Sequence, residues 1–149
     1  MQQELARLRN VTEEDMDLLY QWANETAVRV NAFSTEPIPY QDHQHWFTAK
    51  LHDPNTKIYI YLYEERPVGQ IRLDIDGDQA GIDYSIDVHY RHQGHGKRML
   101  QLLEQEVQVY LPSIAYLTAQ VKCENNASRT VFAANGYEEQ YVAYSKKVK

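Results

Sequence analysis

Apolar and polar residues alternate with a period of two over three successive stretches in the middle of the chain. Ile58, Ile60 and Leu62 interleave with Tyr59, Tyr61 and Tyr63. Ile71, Leu73 and Ile75 interleave with Arg72 and Asp74. Ile82, Tyr84, Ile86 and Val88 follow. Period two sends successive side chains to opposite faces, so each stretch predicts a strand. The first is apolar on both faces and predicts a strand covered on both sides. Glu65-Arg66-Pro67 predicts a turn, and Asp76-Gly77 is a hairpin signal. The period then becomes helical. Leu100, Leu103, Val107 and Leu111 fall on one face, and Pro112 ends the helix. Before the strands, Leu5 to Val11 reads as a strand. Thr12 with Asp15 resembles a capping box that opens a helix through about Asn24, with Leu18, Leu19 and Trp22 toward the core. Glu25 to Tyr40, with Pro37 and Pro39, reads as irregular. Gln41 to Leu51 predicts a second helix, broken by Asp53-Pro54-Asn55. After Pro112 come a strand over Ile114 to Val121, a helix over Ala127 to Asn135 with Gly136 as its cap, and a last strand from about Glu138. The order βααβββαβαβ predicts an α/β fold, one mixed sheet flanked by helices, in a single domain over residues 1–149.

The chemistry concentrates where the third strand runs into Arg91-x-x-Gly94-x-Gly96 and then into the amphipathic helix. A helix N-terminus carries unpartnered N–H groups and favours an anion. Gly94 and Gly96 alternate with Gln93 and His95, so consecutive N–H groups can curl into an anion nest. Arg91, His92, His95, Lys97 and Arg98 form a basic cluster in a chain of net charge −6. A plain strand-to-helix turn needs the same glycines. A dinucleotide motif needs a third glycine where Met99 stands, and the Walker pattern fails because Arg98 follows Gly96-Lys97. His89, His92 and His95, with His43 and His45, have spacings that could suit a metal. Gly94 falls among the first three in a loop, and no cysteine cluster or acidic run supports a site, so no metal is expected.

Composition bounds the rest. The 149 residues, 43% hydrophobic, suit one core. No stretch approaches the roughly 20 apolar residues of a membrane span, and the N-terminus lacks a signal-peptide pattern. A lone cysteine, Cys123, points to a reducing, cytoplasmic setting. The acidic balance argues against nucleic acid. Twelve tyrosines leave aromatic surface for a homodimer.

In its element order and its glycine loop, the chain resembles the GNAT superfamily of acetyl-CoA-dependent N-acetyltransferases over essentially its whole length. A second segment carries the resemblance: Asn125-x-x-Ser128-x-x-Val131-Phe132-x-x-x-Gly136-Tyr137 is similar to the family's Asn-x-x-Ala-x-x-Leu-Tyr-x-x-x-Gly-Phe. The resemblance implies a central strand and its neighbour that splay apart, with pantetheine in the gap. Tyr84, Ser85 and Ile86 match the strand whose backbone pairs with it. Arg91 opens the loop motif, and His92, Gln93, Gly94, His95, Gly96 and Lys97 match the pyrophosphate loop. Asn125 matches a contact to the pantetheine arm, and Ser128 belongs to the same segment. Phe132 matches the tyrosine that often protonates the departing thiolate.

Two positions depart from the pattern. Phe132 has no hydroxyl. The thiolate then leaves unassisted, or Ser128 or a nearby tyrosine substitutes, or the domain is a non-catalytic acyl-CoA sensor. Gly81 stands where many relatives carry a glutamate before the central strand. Asp83, two residues on and on the same strand face, is the candidate base, since an ammonium must lose its proton before it attacks. The acceptor is expected to be a small-molecule amine. The N-terminal segments Tyr20 to Asn24, Val28 to Phe33 and His43 to Phe47 look like the branch that acetylates amino groups on nucleotide-linked sugars. Trp22, Phe33 and Trp46 would stack on sugar or base, and Arg29 would meet a diphosphate. Ribosomal-protein N-terminal acetyltransferases share part of the same pattern.

Overall fold

A computed structural model describes residues 5–149. Five strands form one sheet in the order β1-β2-β3-β4-β5. They are β1 (Ala6–Asn10), β2 (Thr56–Tyr63), β3 (Arg66–Asp76), β4 (Gln79–Ile86) and β5 (Tyr116–Thr118). The helices are α1 (Met16–Ala23), α2 (Thr26–Asn31), α3 (Tyr40–Leu51), α4 (His95–Tyr110) and α5 (Asn126–Ala134). The first four strands pair antiparallel in sequence, and β5 joins β4 in parallel. This is the expected mixed sheet flanked by helices.

The doubly apolar pattern of β2 is explained by two cores. Ile58, Ile60 and Leu62 pack with Leu19, Trp22 and Phe47 on one face of the sheet. Tyr59 and Tyr61 pack on the other face with Met99, Leu100 and Leu103 of α4. Each such side chain, when fully buried, contributes on the order of 1.5–3 kcal/mol. The Asp15 carboxylate closes the start of the first helical turn. It accepts the Thr12 backbone N–H at 2.8 Å and both Arg9 guanidinium nitrogens at 2.8 Å.

The structure corrects several element boundaries. Glu25 to Tyr40 is not wholly irregular, because the Glu25 side chain accepts the Val28 N–H and starts α2. Pro39 lies just before α3 and limits how early that helix can begin. The β2–β3 turn lies at Glu64 and Glu65, both with positive φ, so Arg66 and Pro67 already belong to β3. Val88 is not in β4. Asp87 accepts the His89 N–H and turns the chain into a 3-10 turn at Val88–Tyr90. The strand expected over Ile114 to Val121 is only β5's three residues. The strand expected from Glu138 does not form. Residues 138–149 carry no strand, with Tyr141, Val142 and Tyr144 exposed. A three-residue β5 offers too short an edge to template one.

Candidate active site

β4 and β5 pair only at Gln79↔Tyr116, Ala80↔Leu117 and Gly81↔Thr118. Beyond Gly81 the two strands part, and the backbone of residues 82–86 faces a fork rather than a neighbour on that side. The fork opens directly onto the glycine loop. There His92 has φ 62° and Gly94 φ 85°, and α4 begins at His95. Two residues of positive φ just before a helix curve the backbone, so that unpartnered N–H groups converge. A Cβ on Gly96 would meet Val131 of α5 at 3.4 Å, so glycine there lets α5 lie close against the start of α4. Fork and loop share one cavity of about 1190 Å³.

Most of the residues singled out in the sequence line this cavity: Tyr84, Ser85, Ile86, Arg91, His92, Gly94, His95, Gly96, Lys97, Asn125, Ser128 and Phe132, together with Asp83, Arg29 and Trp46. Gln93 does not; its amide lies 3.4 Å from the His89 carbonyl. The basic cluster divides on folding. Arg91 donates to the Ile86 carbonyl at 3.0 Å and to Glu25 at 2.7 Å. His95 is 8% exposed. Its Nδ1 lies 2.9 Å from the Tyr61 hydroxyl, and its ring packs on Tyr61, Tyr63 and Tyr90. Burial lowers its pKa from the ordinary 6.5, so the imidazole serves as a neutral core group. His92 and Lys97 remain as cavity-lining basic side chains of the loop.

On the α5 wall, the Asn125 carbonyl oxygen caps the helix by accepting the Ser128 N–H at 3.2 Å. The Asn125 amide nitrogen donates to Ser128 Oγ at 3.2 Å. The Tyr84 hydroxyl lies 3.0 Å from the same Oγ. Phe132 is a buried ring, edge-on to Tyr84 at 5.8 Å and to Tyr137 at 5.0 Å. Burial raises the Tyr84 pKa, while the hydrogen bond to Ser128 pulls it down.

The other face of the fork belongs to β3, β4 and α3. Ser85 Oγ accepts from Gln70 at 3.2 Å. Asp83, its side chain 58% exposed, stands 3.9 Å from the Arg72 guanidinium. Arg72 lies over the Trp46 ring at 5.2 Å. His43 is 3% exposed and lines the cavity. Its Nε2 lies 2.8 Å from the Met16 carbonyl, which can only accept, so that nitrogen carries the proton. Gln70 and Arg72 carry no motif in the sequence, and His43 stands out there only through its spacing to His45 and as the start of the segment His43 to Phe47. The alternation that buries Ile71 and Leu73 already places Gln70, Arg72 and Asp74 on the opposite face.

Three side chains expected to hold the acceptor are engaged or placed elsewhere. Trp22 is 4% exposed in the core beneath α1 and donates its indole N–H to Asp87 at 2.8 Å. Phe33 is 68% exposed and does not line the cavity. Arg29 lines it, but its guanidinium is held by the carbonyls of Ala23 (2.7 Å), Ser34 (3.1 Å) and Glu36 (3.2 Å). Among the described residues, no group of three or more His, Cys, Asp or Glu could hold a metal, and no helix is long and apolar enough to cross a membrane.

Residues 6–138 match the family model described as the acetyltransferase (GNAT) domain. No curated protein matches the chain by sequence. Its fold is similar to that of solved acetyltransferases. The spermidine N-acetyltransferase of Vibrio cholerae, solved with CoA and spermine, superposes with a TM-score of 0.83 at 15% identity, over 92% of this chain and 83% of that one. The aminoglycoside acetyltransferase AAC(6')-Ib with ribostamycin and coenzyme A gives 0.80 at 20% identity, over 92% and 85%. RimL, a ribosomal L7/L12 α-N-protein acetyltransferase solved with CoA, gives 0.78 at 17%, over 90% and 80%.

Proposed function

The chain belongs to the acetyltransferase (GNAT) domain family, and from that premise we propose that it moves the acetyl group of acetyl-CoA to a primary amine of a small polycationic acceptor, a polyamine or an amino sugar. The observation that carries the reading is the fork. β4 loses its β5 partner after Gly81 and leads through the Val88–Tyr90 turn into the positive-φ loop capping α4. An extended pantetheine can pair with the free strand backbone while its pyrophosphate meets the N–H groups before α4. His92, Lys97 and Asn125 line the same cavity and add charge and hydrogen bonds there.

Amine and thioester then meet at the β3–β4 face, where holding the two together supplies much of the rate. Asp83 is the proposed base. It lines the cavity with an accessible carboxylate, able to take the ammonium proton directly or through water. A strand N–H near Ile86 would polarise the thioester carbonyl.

The acceptor assignment follows the charges at that end. Asp42, Asp83, Arg72 and the Trp46 ring line it. Arg72 already lies over Trp46 and beside Asp83, so the cation is drawn by the Asp42 and Asp83 carboxylates. A nucleotide-linked sugar, the acceptor expected from the sequence, has less to hold it. Arg29 is spent on three backbone carbonyls, Trp22 is buried, and Phe33 lies off the cavity. Similar folds solved with spermine and with ribostamycin support a cationic acceptor.

A thiol-release assay with acetyl-CoA against spermidine, kanamycin, a UDP-linked amino sugar and an N-terminal peptide tests this. CoA release with spermidine or kanamycin is expected. Release with only the peptide or only the UDP-sugar would replace the acceptor assignment. CoA that stabilises the protein without any turnover would favour the sensor reading.

A further inference from the structure

Breaking the thioester leaves a thiolate that must end as a thiol. Phe132 cannot supply that proton. The cavity wall beside it holds three polar groups in a row, Asn125, Ser128 and Tyr84, and their hydrogen bonds have a direction. The Ser128 backbone N–H can only donate, so the oxygen of the Asn125 amide faces it. This turns the amide nitrogen toward Ser128 Oγ, to which it donates at 3.2 Å. With Oγ accepting from Asn125, the Ser128 hydroxyl proton is free to point at the Tyr84 oxygen, 3.0 Å away. The phenol proton of Tyr84 is then left for the cavity.

We propose that Tyr84 is the general acid of the transfer, oriented and recharged through Ser128 and Asn125. This rests on the transferase reading above. The amine nitrogen forms its bond to the acetyl carbon, and the carbon–sulfur bond breaks with its electron pair going to sulfur. The Tyr84 proton passes to that sulfur. The phenolate is reprotonated from solvent through the Ser128 hydroxyl, while the proton lost by the amine leaves through the base. The edge-on packing of Tyr84 against Phe132 at 5.8 Å gives the phenyl ring a purpose, since it holds the phenol in place and keeps water from the thiolate. Burial keeps the phenol protonated through the working range, and the Ser128 hydrogen bond makes it the better donor. Ser128 stands where the family pattern has alanine and Phe132 where it has tyrosine. The hydroxyl absent at one position is present one helical turn away, bonded to a second tyrosine.

The test is single-turnover kinetics with acetyl-CoA and an amine substrate in Tyr84→Phe, Ser128→Ala and the double variant Tyr84→Phe/Phe132→Tyr, alongside CoA affinity by calorimetry. Tyr84→Phe is expected to lower the acetyl-transfer rate about 100-fold, with CoA affinity within about twofold, and to reduce the solvent deuterium isotope effect to what the amine-to-base proton transfer contributes. Ser128→Ala is expected to lose about tenfold. Phe132→Tyr in the Tyr84→Phe background is expected to recover part of the rate, which a packing role for Tyr84 would not allow. A Tyr84→Phe enzyme within about threefold of the parent overturns this inference alone. If that variant fails to fold, an unimpaired Ser128→Ala enzyme overturns it. A parent protein that binds CoA but acetylates no amine overturns the transferase reading, and this inference with it.

Discussion

The Arg91 guanidinium meets the Glu25 carboxylate at 2.7 Å, joining the segment that leaves β4 to the start of α2. Both side chains are 24% exposed, so the pair is partly shielded, and a charge-assisted bond of this kind contributes on the order of 1.5–3 kcal/mol. Trp22 and Asp87 make a second link between the same two parts of the fold. Helices α1 and α2 are therefore docked on the stretch that leads into the glycine loop. The first residue of the loop motif works as a strut within the protein.

Glu25→Gln keeps an oxygen to cap Val28 and removes the charge. It is expected to raise the acceptor KM several-fold while CoA affinity changes little, read from initial rates and calorimetry. The pair also gives acid sensitivity. The Arg91 hydrogen bond lowers the Glu25 carboxyl below its ordinary 4.5. Its stabilisation is complete above that ordinary value and is lost as pH falls through the lower folded value. Chemical denaturation of the parent should therefore weaken with acid more steeply than that of Glu25→Gln.

A Gly94→Glu variant tests the loop. Gly94 has φ 85°, and a Cβ there meets nothing within 4 Å. A side chain is thus strained by about 1–2 kcal/mol without clashing, and a carboxylate would sit at the proposed pyrophosphate site. The expected result is a folded protein, by circular dichroism, whose CoA affinity falls at least about 100-fold. Retained affinity would remove the loop from the cofactor site.

Much of this site was legible because glycine spacing and alternation are local signals. The fork was legible only through family resemblance, since the parting of two strands depends on how short β5 is, and no residue in β4 announces it. The fate of individual cations was hidden for another reason. Arg91, Arg29 and His95 read as cationic in sequence, yet each is placed by partners distant in the chain or by a fold of the local backbone: Glu25 for Arg91, three carbonyls for Arg29 and Tyr61 for His95. Trp22 reads equally well as a stacking platform and as core, and only the distant Asp87 decides between them. The strand expected from about Glu138 does not form because a strand needs a long enough edge to receive it, and β5 has only three residues.

His95 predicts a pH effect of its own. The unfolded chain takes up a proton near the ordinary 6.5, while burial holds the folded imidazole below that. The contribution of the neutral ring is complete above 6.5 and is lost as pH falls from there through the folded value. Urea midpoints measured from about pH 7.5 to about pH 5 should fall in the parent and fall less in His95→Gln, whose amide still pairs with the Tyr61 hydroxyl. Equal slopes would place the imidazole in contact with water.

Gly69 provides the test of the fork itself. It pairs with Ile86 across β3 and β4. A Cβ there would lie 2.6 Å from the Ser85 carbonyl oxygen and 2.9 Å from Ile86 Cδ1. The first contact is with backbone and cannot be relieved by a rotamer, so β4 must move at the residues proposed to pair with pantetheine. Gly69→Ala is expected to destabilise the protein by about 1–3 kcal/mol and to weaken CoA binding beyond what the lost stability explains, since a folded variant at low temperature would still carry a displaced Ser85. Comparing CoA affinity with that of a remote variant of equal stability separates the two effects. If the two variants bind CoA alike, the strand backbone at Ser85 and Ile86 is not a cofactor contact.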